Sequence, residues 1–382
     1  MLPLSYALRN LFRDKSRLLQ TVGGSALVVL LVMAATALNG GMKSVLSASG
    51  SERNVILLGA GSEESIQRSE VSALLGGIAE AGIAGVSQTL GKPAASAEIH
   101  YMTYLEDAGG RKGQGLFRGV TARSLLVHPE VRVTEGSFPR SGEVMAGRLA
   151  WRKLGIPEES LKPGAKVRIE GSELKVSGTF AAPGTVMESE VWAALGDLHM
   201  LAQRETVSCV VLRMDDAKDF TEADLFSRQR LDLELTALRE SDYYAALGEF
   251  FRPLRIMTWI TAGLVAAGAI FGGFNTLYAA FASRIRELAT LQAIGFGRFA
   301  VFISLVQESL IACLAGTLVA SAAALLILDG QTIPFSIGAF TVSVTPAVAA
   351  AGLITGVLLG ILGSIPPAIR CLRPSLPKAL RS

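Results

Sequence analysis

Residues 283–297 read Ser283-Arg284-Ile285-Arg286-Glu287-Leu288-Ala289-Thr290-Leu291-Gln292-Ala293-Ile294-Gly295-Phe296-Gly297. This is a short charged helix pattern caught between two apolar stretches, each long enough to cross a bilayer. Irregular or charged backbone is not tolerated in the hydrocarbon, so the connector belongs at the aqueous surface, where a soluble partner can reach it. The stretches on either side decide the fold.

Half of the 382 residues are hydrophobic and only 18% are charged, too apolar for one ordinary soluble domain of this length. Charge-free runs cover 18–38, 256–283, 299–307 continuing past Glu308 to 328, and 330–369. The first of them, at about 1.5 Å per residue, matches the roughly 30 Å hydrocarbon core. The last exceeds one span, but Pro334 and Pro346 interrupt it and place its membrane helix at about 347–369. The expected fold is a membrane protein with four transmembrane α-helices and a large α+β extracytoplasmic domain between the first and second. Its predicted parts are a cytoplasmic amphipathic helix (1–17), spans at 18–39, 253–283, 299–328 and 347–369, and the extracytoplasmic domain with its stalk helix (40–252). A cytoplasmic coupling helix (284–298), an extracytoplasmic loop (329–346) and a cytoplasmic tail (370–382) complete the chain.

Basic residues orient these spans. Arg9, Arg13, Lys15 and Arg17 precede the first, Arg284, Arg286 and Arg298 lie between the second and third, and Arg370, Arg373, Lys378 and Arg381 follow the fourth. Lys and Arg are absent from 329–345. With four spans every basic cluster falls on one side, so the positive-inside rule puts both termini and the 284–298 segment in the cytoplasm. Acidic residues outnumber basic ones across 40–252 and the reverse holds elsewhere, so the net charge of +3 hides two opposite surfaces. The basic one suits anionic membrane lipid, and nothing calls for nucleic acid. Ala35-Thr36-Ala37 resembles a signal-peptidase site, but the apolar run is long and its basic preface extensive, so it reads as a signal anchor.

Within 40–252, short strands are expected at 54–58, 115–120, 142–146 and 207–213, with a hairpin of 166–170 and 173–180 turning at Gly171-Ser172. Helical patterns occupy 70–83, 148–154 and 219–230, and 231–235 reads as extended. Residues 240–258 carry an apolar stripe at Tyr244, Leu247, Phe251 and Leu254 that runs into the second span with Pro253 as its breaker, predicting a stalk helix.

Chemical motifs are sparse. His100, His128 and His199 are spread without ligand spacing and read as packing or surface residues. Gly-x-Ser-x-Gly, HExxH and paired-cysteine motifs do not occur, and Cys209, Cys313 and Cys371 are placed where no two meet in one chain. Gly91-Lys92-Pro93 lacks the upstream glycine and the Ser or Thr of a P-loop, and Gly59-Ala60-Gly61 reads as a turn. No catalytic, cofactor-binding or metal residue is assigned, and any ATP hydrolysis is expected in a separate subunit.

The membrane segments carry more. Gly268 and Gly272 in the second span, and Gly352, Gly356 and Gly360 in the fourth, repeat at four-residue spacing and clear a helix face for close packing, within one subunit or between two. Glu308 is the acidic residue inside a predicted span, costly unless paired, and Asn275 or Thr276 are its expected partners.

Asn275-Thr276-Leu277, the helix from Ser283 to Gly295, and Gln307-Glu308-Ser309-Leu310 together resemble the permease segment of the FtsX/MacB-type (type VII) ABC transporter family. That family shows an Asn, an Arg-x-x-Glu-Ile-Gly helix ending in Ala-Ile-Gly, and a Glu early in the next span; Leu288-Ala289 here replaces Ile-Gly. Tyr6-Ala7-Leu8-Arg9-Asn10-Leu11-Phe12-Arg13 is similar to the opening helix of these permeases, and Pro367-Ala368 through Pro374 to Ala379-Leu380-Arg381 to their closing segment. Gly119-Val120, Gly142-Glu143-Val144, Val176-Ser177-Gly178-Thr179-Phe180 and Asp197 resemble the MacB-like periplasmic core. The resemblance implies an inner-membrane permease that pairs with a second copy or a paralogue and recruits two ABC ATPase subunits holding ATP and Mg. It also implies that Arg284, Arg286, Glu287, Thr290, Leu291, Ile294 and Gly295 couple to the ATPase, while the stalk carries motion outward to an envelope substrate or membrane-fusion partner. Related functions within reach are lipoprotein or lipid extraction and regulation of a cell-wall hydrolase.

Overall fold

The computed structural model describes residues 4–374. The ends of the expected opening helix and tail, 1–3 and 375–382, lie outside the described residues. In chain order α1 (Leu4–Arg13) and the long α2 (Lys15–Ser49) come first, followed by β1 (Asn54–Gly59), α3 (Leu75–Gly82), β2 (Gln88–Thr89) and β3 (Lys92–Pro93). Next are β4 (Ala95–Asp107), β5 (Lys112–Val120), α4 (Ser124–Val127), β6 (Arg132–Gly136), β7 (Glu143–Gly147) and α5 (Ala150–Leu154). Then β8 (Lys166–Ile169), β9 (Ser172–Ala181), β10 (Val191–Ala194), α6 (Leu195–Leu201), β11 (Cys209–Arg213), α7 (Phe220–Gln229) and β12 (Leu235–Arg239) complete the sheet region. The chain closes with α8 (Glu240–Phe250), α9 (Arg252–Ala282), α10 (Ile285–Ala293), α11 (Arg298–Ile327), β13 (Thr332–Phe335), β14 (Gly338–Thr341) and α12 (Pro346–Leu372).

Two compact units share these elements: a helical one of 1–40, 253–331 and 342–382, and a sheet domain of 41–252 with 332–341. In the helical unit, α2, α9, α11 and α12 are long and apolar enough to cross a membrane. Their close packing is made by small residues. A Cβ on Gly352 would lie 2.8 Å from Met33 Sδ of α2, and one on Gly360 2.9 Å from Leu310 Cα of α11, while Gly356 faces Thr317. Pro346 occupies the first turn of α12, where a missing N–H costs nothing, and Thr345 Oγ1 accepts the Val348 N–H at 3.4 Å. At the other end of the unit, Leu277 and Phe281 of α9, Leu288 of α10, Val301 and Leu305 of α11, and Ala368 of α12 form one apolar cluster.

The sheet domain is built on a ten-stranded mixed sheet ordered β12-β1-β11-β4-β5-β10-β7-β9-β6, with β8 pairing β4 and β9. Its axis is β4, whose thirteen residues pair with β11, β5 and β8. In β1 successive side chains alternate between two cores, Val55 and Leu57 into one and Ile56 and Leu58 into the other. Both faces are therefore buried, which explains the uninterrupted apolar run of that strand.

Several local expectations are corrected. The β8–β9 hairpin turns at Glu170-Gly171, with Ile169 opposite Ser172, one residue earlier than expected. Both turn residues have positive φ, +48° and +81°, the twist that a two-residue hairpin demands. Leu231–Leu233 is a 3-10 turn, and the strand begins only at Leu235. The stalk pattern is divided, α8 ending at Phe250 and α9 starting at Arg252 next to Pro253. The expected loop 329–346 contains a β-hairpin, β13–β14, assigned to the sheet domain.

Candidate functional site

The connector helix α10 is held from both ends. At its C-terminus Gly295 takes φ +109°; its N–H donates to Gln292 O at 3.1 Å, and the Phe296 N–H to Leu291 O at 3.1 Å. This paired closure satisfies the last carbonyls, and the left-handed residue at its centre is the reason for glycine there. Leu288 and Ala289 are buried, Leu291 half-buried, whereas Arg286, Thr290 and Ile294 are exposed, Ile294 at 72%. Their spacing of four places them on one outward face. Of the expected coupling residues, then, Arg286, Thr290 and Ile294 face out, Leu291 and Gly295 build the helix and its stop, and Arg284 and Glu287 turn to other partners.

Those partners form a chain of alternating charge. Arg284 Nη1 donates to both Glu308 oxygens at 3.2 and 3.1 Å, and its Nε to Glu287 Oε2 at 3.4 Å. Arg17 also donates to Glu308, and Arg13 Nη1 donates to Glu287 Oε1 at 2.6 Å. The Arg13 hydrogen bond is the largest influence holding the Glu287 carboxyl below its ordinary value, against the cost of partial burial. Glu308 is buried and Arg17 and Arg284 are 11% exposed, so the acid that the apolar span encloses is paired with two guanidiniums, which offsets the cost of its burial. Asn275 and Thr276 are not those partners: Asn275 is exposed and the Thr276 hydroxyl donates to Gly272 O at 3.2 Å. Arg17 lies 291 residues away in sequence, beyond any local pattern.

The glycines divide. Gly352, Gly356 and Gly360 are buried against α2 and α11 of the same chain, whereas Gly268 and Gly272 are exposed with nothing within 4 Å of an added Cβ.

A second cluster occupies the sheet domain. Arg118 of β5 donates to both Glu190 oxygens at 2.7 Å and to Glu98 of β4 at 2.8 Å. Trp192 Nε1 donates to Glu190 at 2.9 Å. His100 Nε2 lies 3.4 Å and His128 Nε2 3.2 Å from Glu98, so two histidines that are scattered in sequence share one buried carboxylate. The third, His199, pairs instead with Arg204 O at 2.9 Å.

Burial would push Glu98 up, but Arg118 and then His128 outweigh it and hold the carboxyl well below its usual range. Burial also opposes charge on His128, yet the Glu98 carboxylate, the Glu130 carboxylate 3.6 Å from Nδ1 and the charge of Glu240 raise it to about 10. Burial and then Arg118 keep His100 below its ordinary value. One histidine is thus an ion-pair member and the other a neutral imidazole.

Glu98, His100 and Cys209 offer ligand atoms within 4.8 Å of one another, a donor set with metal-binding chemistry. The Arg118 guanidinium on the same carboxylate already supplies the positive charge a cation would bring. Glu240, the first residue of α8, enters the cluster too, accepting from Ser51 N at 3.1 Å and Asn54 Nδ2 at 2.9 Å. The signal available in the sequence was local, Arg118 following Leu116-Phe117 in β5 and Glu98 preceding Ile99 in β4.

Four membrane-length helices, a braced connector and a large sheet domain between the first two spans define a polytopic membrane protein. A family model described as the MacB-like periplasmic core domain matches residues 18–224, and one described as the FtsX-like permease C-terminal matches residues 259–376. The chain belongs to the FtsX/MacB-like permease family of ABC transporters.

Among solved structures, the chain is similar to the periplasmic region of MacB from Actinobacillus actinomycetemcomitans, at 9% identity and TM-score 0.40, covering 55% of this chain and 97% of that one. It is also similar to the extracellular domain of the noncanonic ABC-type transporter YknZ from Gram-positive bacteria, at 14% identity and TM-score 0.38, covering 49% and 100%. A domain of a putative permease protein from Porphyromonas gingivalis matches at 12% identity and TM-score 0.33, covering 49% and 87%. No curated protein matches.

Proposed function

We propose that this chain transmits the ATP-driven motion of a partner ATPase to its sheet domain on the far side of the bacterial inner membrane, acting there on an envelope substrate. The observation that carries this reading is the outward face of α10, where Arg286, Thr290 and Ile294 stand exposed on a helix braced from behind by Leu288, Ala289 and the Arg284–Glu308 ion pair. An exposed apolar residue flanked by a cation, on a helix that cannot yield, suits a groove of a soluble partner. Charge asymmetry supports placing α10 and both termini in the cytoplasm. ATP and Mg then belong to the partner, two copies serving a pair of permease chains.

The test is co-purification of the full chain with a candidate ABC ATPase subunit. Arg286→Glu with Ile294→Asp alters exposed side chains alone and is expected to lower ATPase binding and stimulation at least about tenfold while leaving membrane insertion unchanged. Unaltered binding and stimulation would remove α10 from the coupling role.

A further inference from the structure

The helical unit contains a groove of about 220 Å³ to which all four membrane helices contribute, lined among others by Gln20 and Gly24 of α2, Gly272 and Thr276 of α9, Cys313 of α11 and Leu359 of α12. Its wall is largely apolar, and glycines open it: an added Cβ on Gly24 or Gly272 would meet nothing within 4 Å. Its polar end adjoins the ion-pair cluster. Gln20 and Thr21 follow Arg17 by three and four residues on the same face of α2, and Gly24 stands roughly 10 Å further along.

That cluster is not neutral. Arg13 is matched by Glu287, whereas the nearly enclosed guanidiniums of Arg17 and Arg284 share the one carboxylate of Glu308; Asp14 is exposed and accepts from the Arg17 backbone N–H at 3.1 Å, so among the described residues the enclosed part of the cluster keeps one positive charge in excess. Among the described residues the buried Arg284 Nη2 has no hydrogen-bond partner in bonding geometry; Tyr6 interacts with the Arg284 guanidinium, but a neutral phenol does not offset its charge. A buried donor of this kind carries a desolvation penalty until an acceptor arrives.

From this juxtaposition we propose that the groove binds one anionic phospholipid, its phosphate accepting from Arg17 and Arg284 and one acyl chain lying along Gly24 and Gly272. Basic pockets between helices at one membrane surface select anionic headgroups by such charge-assisted hydrogen bonds. An apolar groove joined to an uncompensated cation matches both halves of that ligand, whereas a zwitterionic lipid leaves the charge unmatched and a free anion leaves the groove empty. The proposal uses Arg284 at the N-cap of α10 but not the outward face of that helix, so it stands whether or not α10 docks an ATPase.

The experiment uses the full chain in detergent, comparing phosphatidylglycerol, phosphatidylcholine of the same acyl chains, and inorganic phosphate, by native mass spectrometry and melting temperature. One phosphatidylglycerol retained per chain, with a rise in melting temperature that the other two do not produce, is the expected result. Arg17→Gln should weaken retention about tenfold or more, the loss of one charge-assisted bond. Gly272→Leu fills the groove without touching a charge and should displace the lipid as well, so it carries the test if Arg17→Gln fails to fold. Equal retention of both lipids, a shift reproduced by phosphate alone, or a Gly272→Leu chain that leaves lipid bound but dissociates a dimer would each overturn the proposal, the last by identifying a second copy as the occupant.

Discussion

At the scale of single residues, the energetic weight falls on charges that have left water. The Arg13–Glu287 pair is exposed at 67% and 39%, and pairs of that kind contribute at most about 1 kcal/mol. Glu308 is different: its two arginines are nearly enclosed, and removing one member of such a group costs about 3–5 kcal/mol because the other charges stay behind unpaired. Glu308→Gln, which preserves shape, is therefore expected to lower the melting temperature of the detergent-solubilised chain markedly. Glu287→Gln, at the exposed end of the same chain of charges, should change it little, and comparable losses in both would show that the buried and exposed links are equivalent. Composition made Glu308 conspicuous, since a carboxylate in an apolar span is expensive wherever it points. Its partners came from the start of α2 and the N-cap of α10, a convergence that no spacing in the sequence encodes.

Among elements, the glycines separate packing inside the chain from open surface. Gly360 lies where a methyl group would meet Leu310 backbone at 2.9 Å, while Gly268 meets nothing. Gly360→Ala should push α12 from α11 and destabilise by about 1–3 kcal/mol, as overpacking does. Gly268→Ala serves as its control. It should leave the isolated chain as stable as before or slightly more so, since alanine favours helix over glycine. Differential scanning of the two variants checks this, and a destabilised Gly268→Ala would reveal a neighbour on that face. Both motifs look alike as sequence, because four-residue spacing states only that one helix face is bare. Whether another helix lies against it is a property of the bundle. The hairpin β13–β14 was missed for a related reason: Pro334 interrupts an apolar run as well in an edge strand as in a loop.

For the molecule as a whole, two units with different chemistry imply different responses to pH. His128 is raised from 6.5 to about 10 in the folded sheet domain. Its stabilisation is fully present below pH 6.5 and is lost as pH rises through about 10. Melting followed by tryptophan fluorescence, with Trp192 inside the cluster at 6.4 Å from His128, should therefore show a transition temperature that falls from about pH 6.5 to about pH 10, and His128→Gln should flatten that dependence. A wild-type profile without slope over this range would mean that His128 is not charged in the fold.

Four long apolar helices, a helical connector between the second and third, and six strands of the sheet domain, β1, β5, β7, β8, β9 and β11, were legible in the amino-acid sequence, whereas the axial β4 and the strands β6 and β10 were not. Hydrophobic length, alternation and turn chemistry are local properties, and the distribution of basic residues carries only the orientation expected from the positive-inside rule. Tertiary structure decided everything that depends on convergence: the face of α10 left exposed, the arginines that neutralise Glu308, and the meeting of Glu98, Arg118, His100 and His128 on one carboxylate network. A charge declares in the sequence that it needs a counter-charge, but the counter-charge is chosen by packing, which brings together residues tens to hundreds of positions apart.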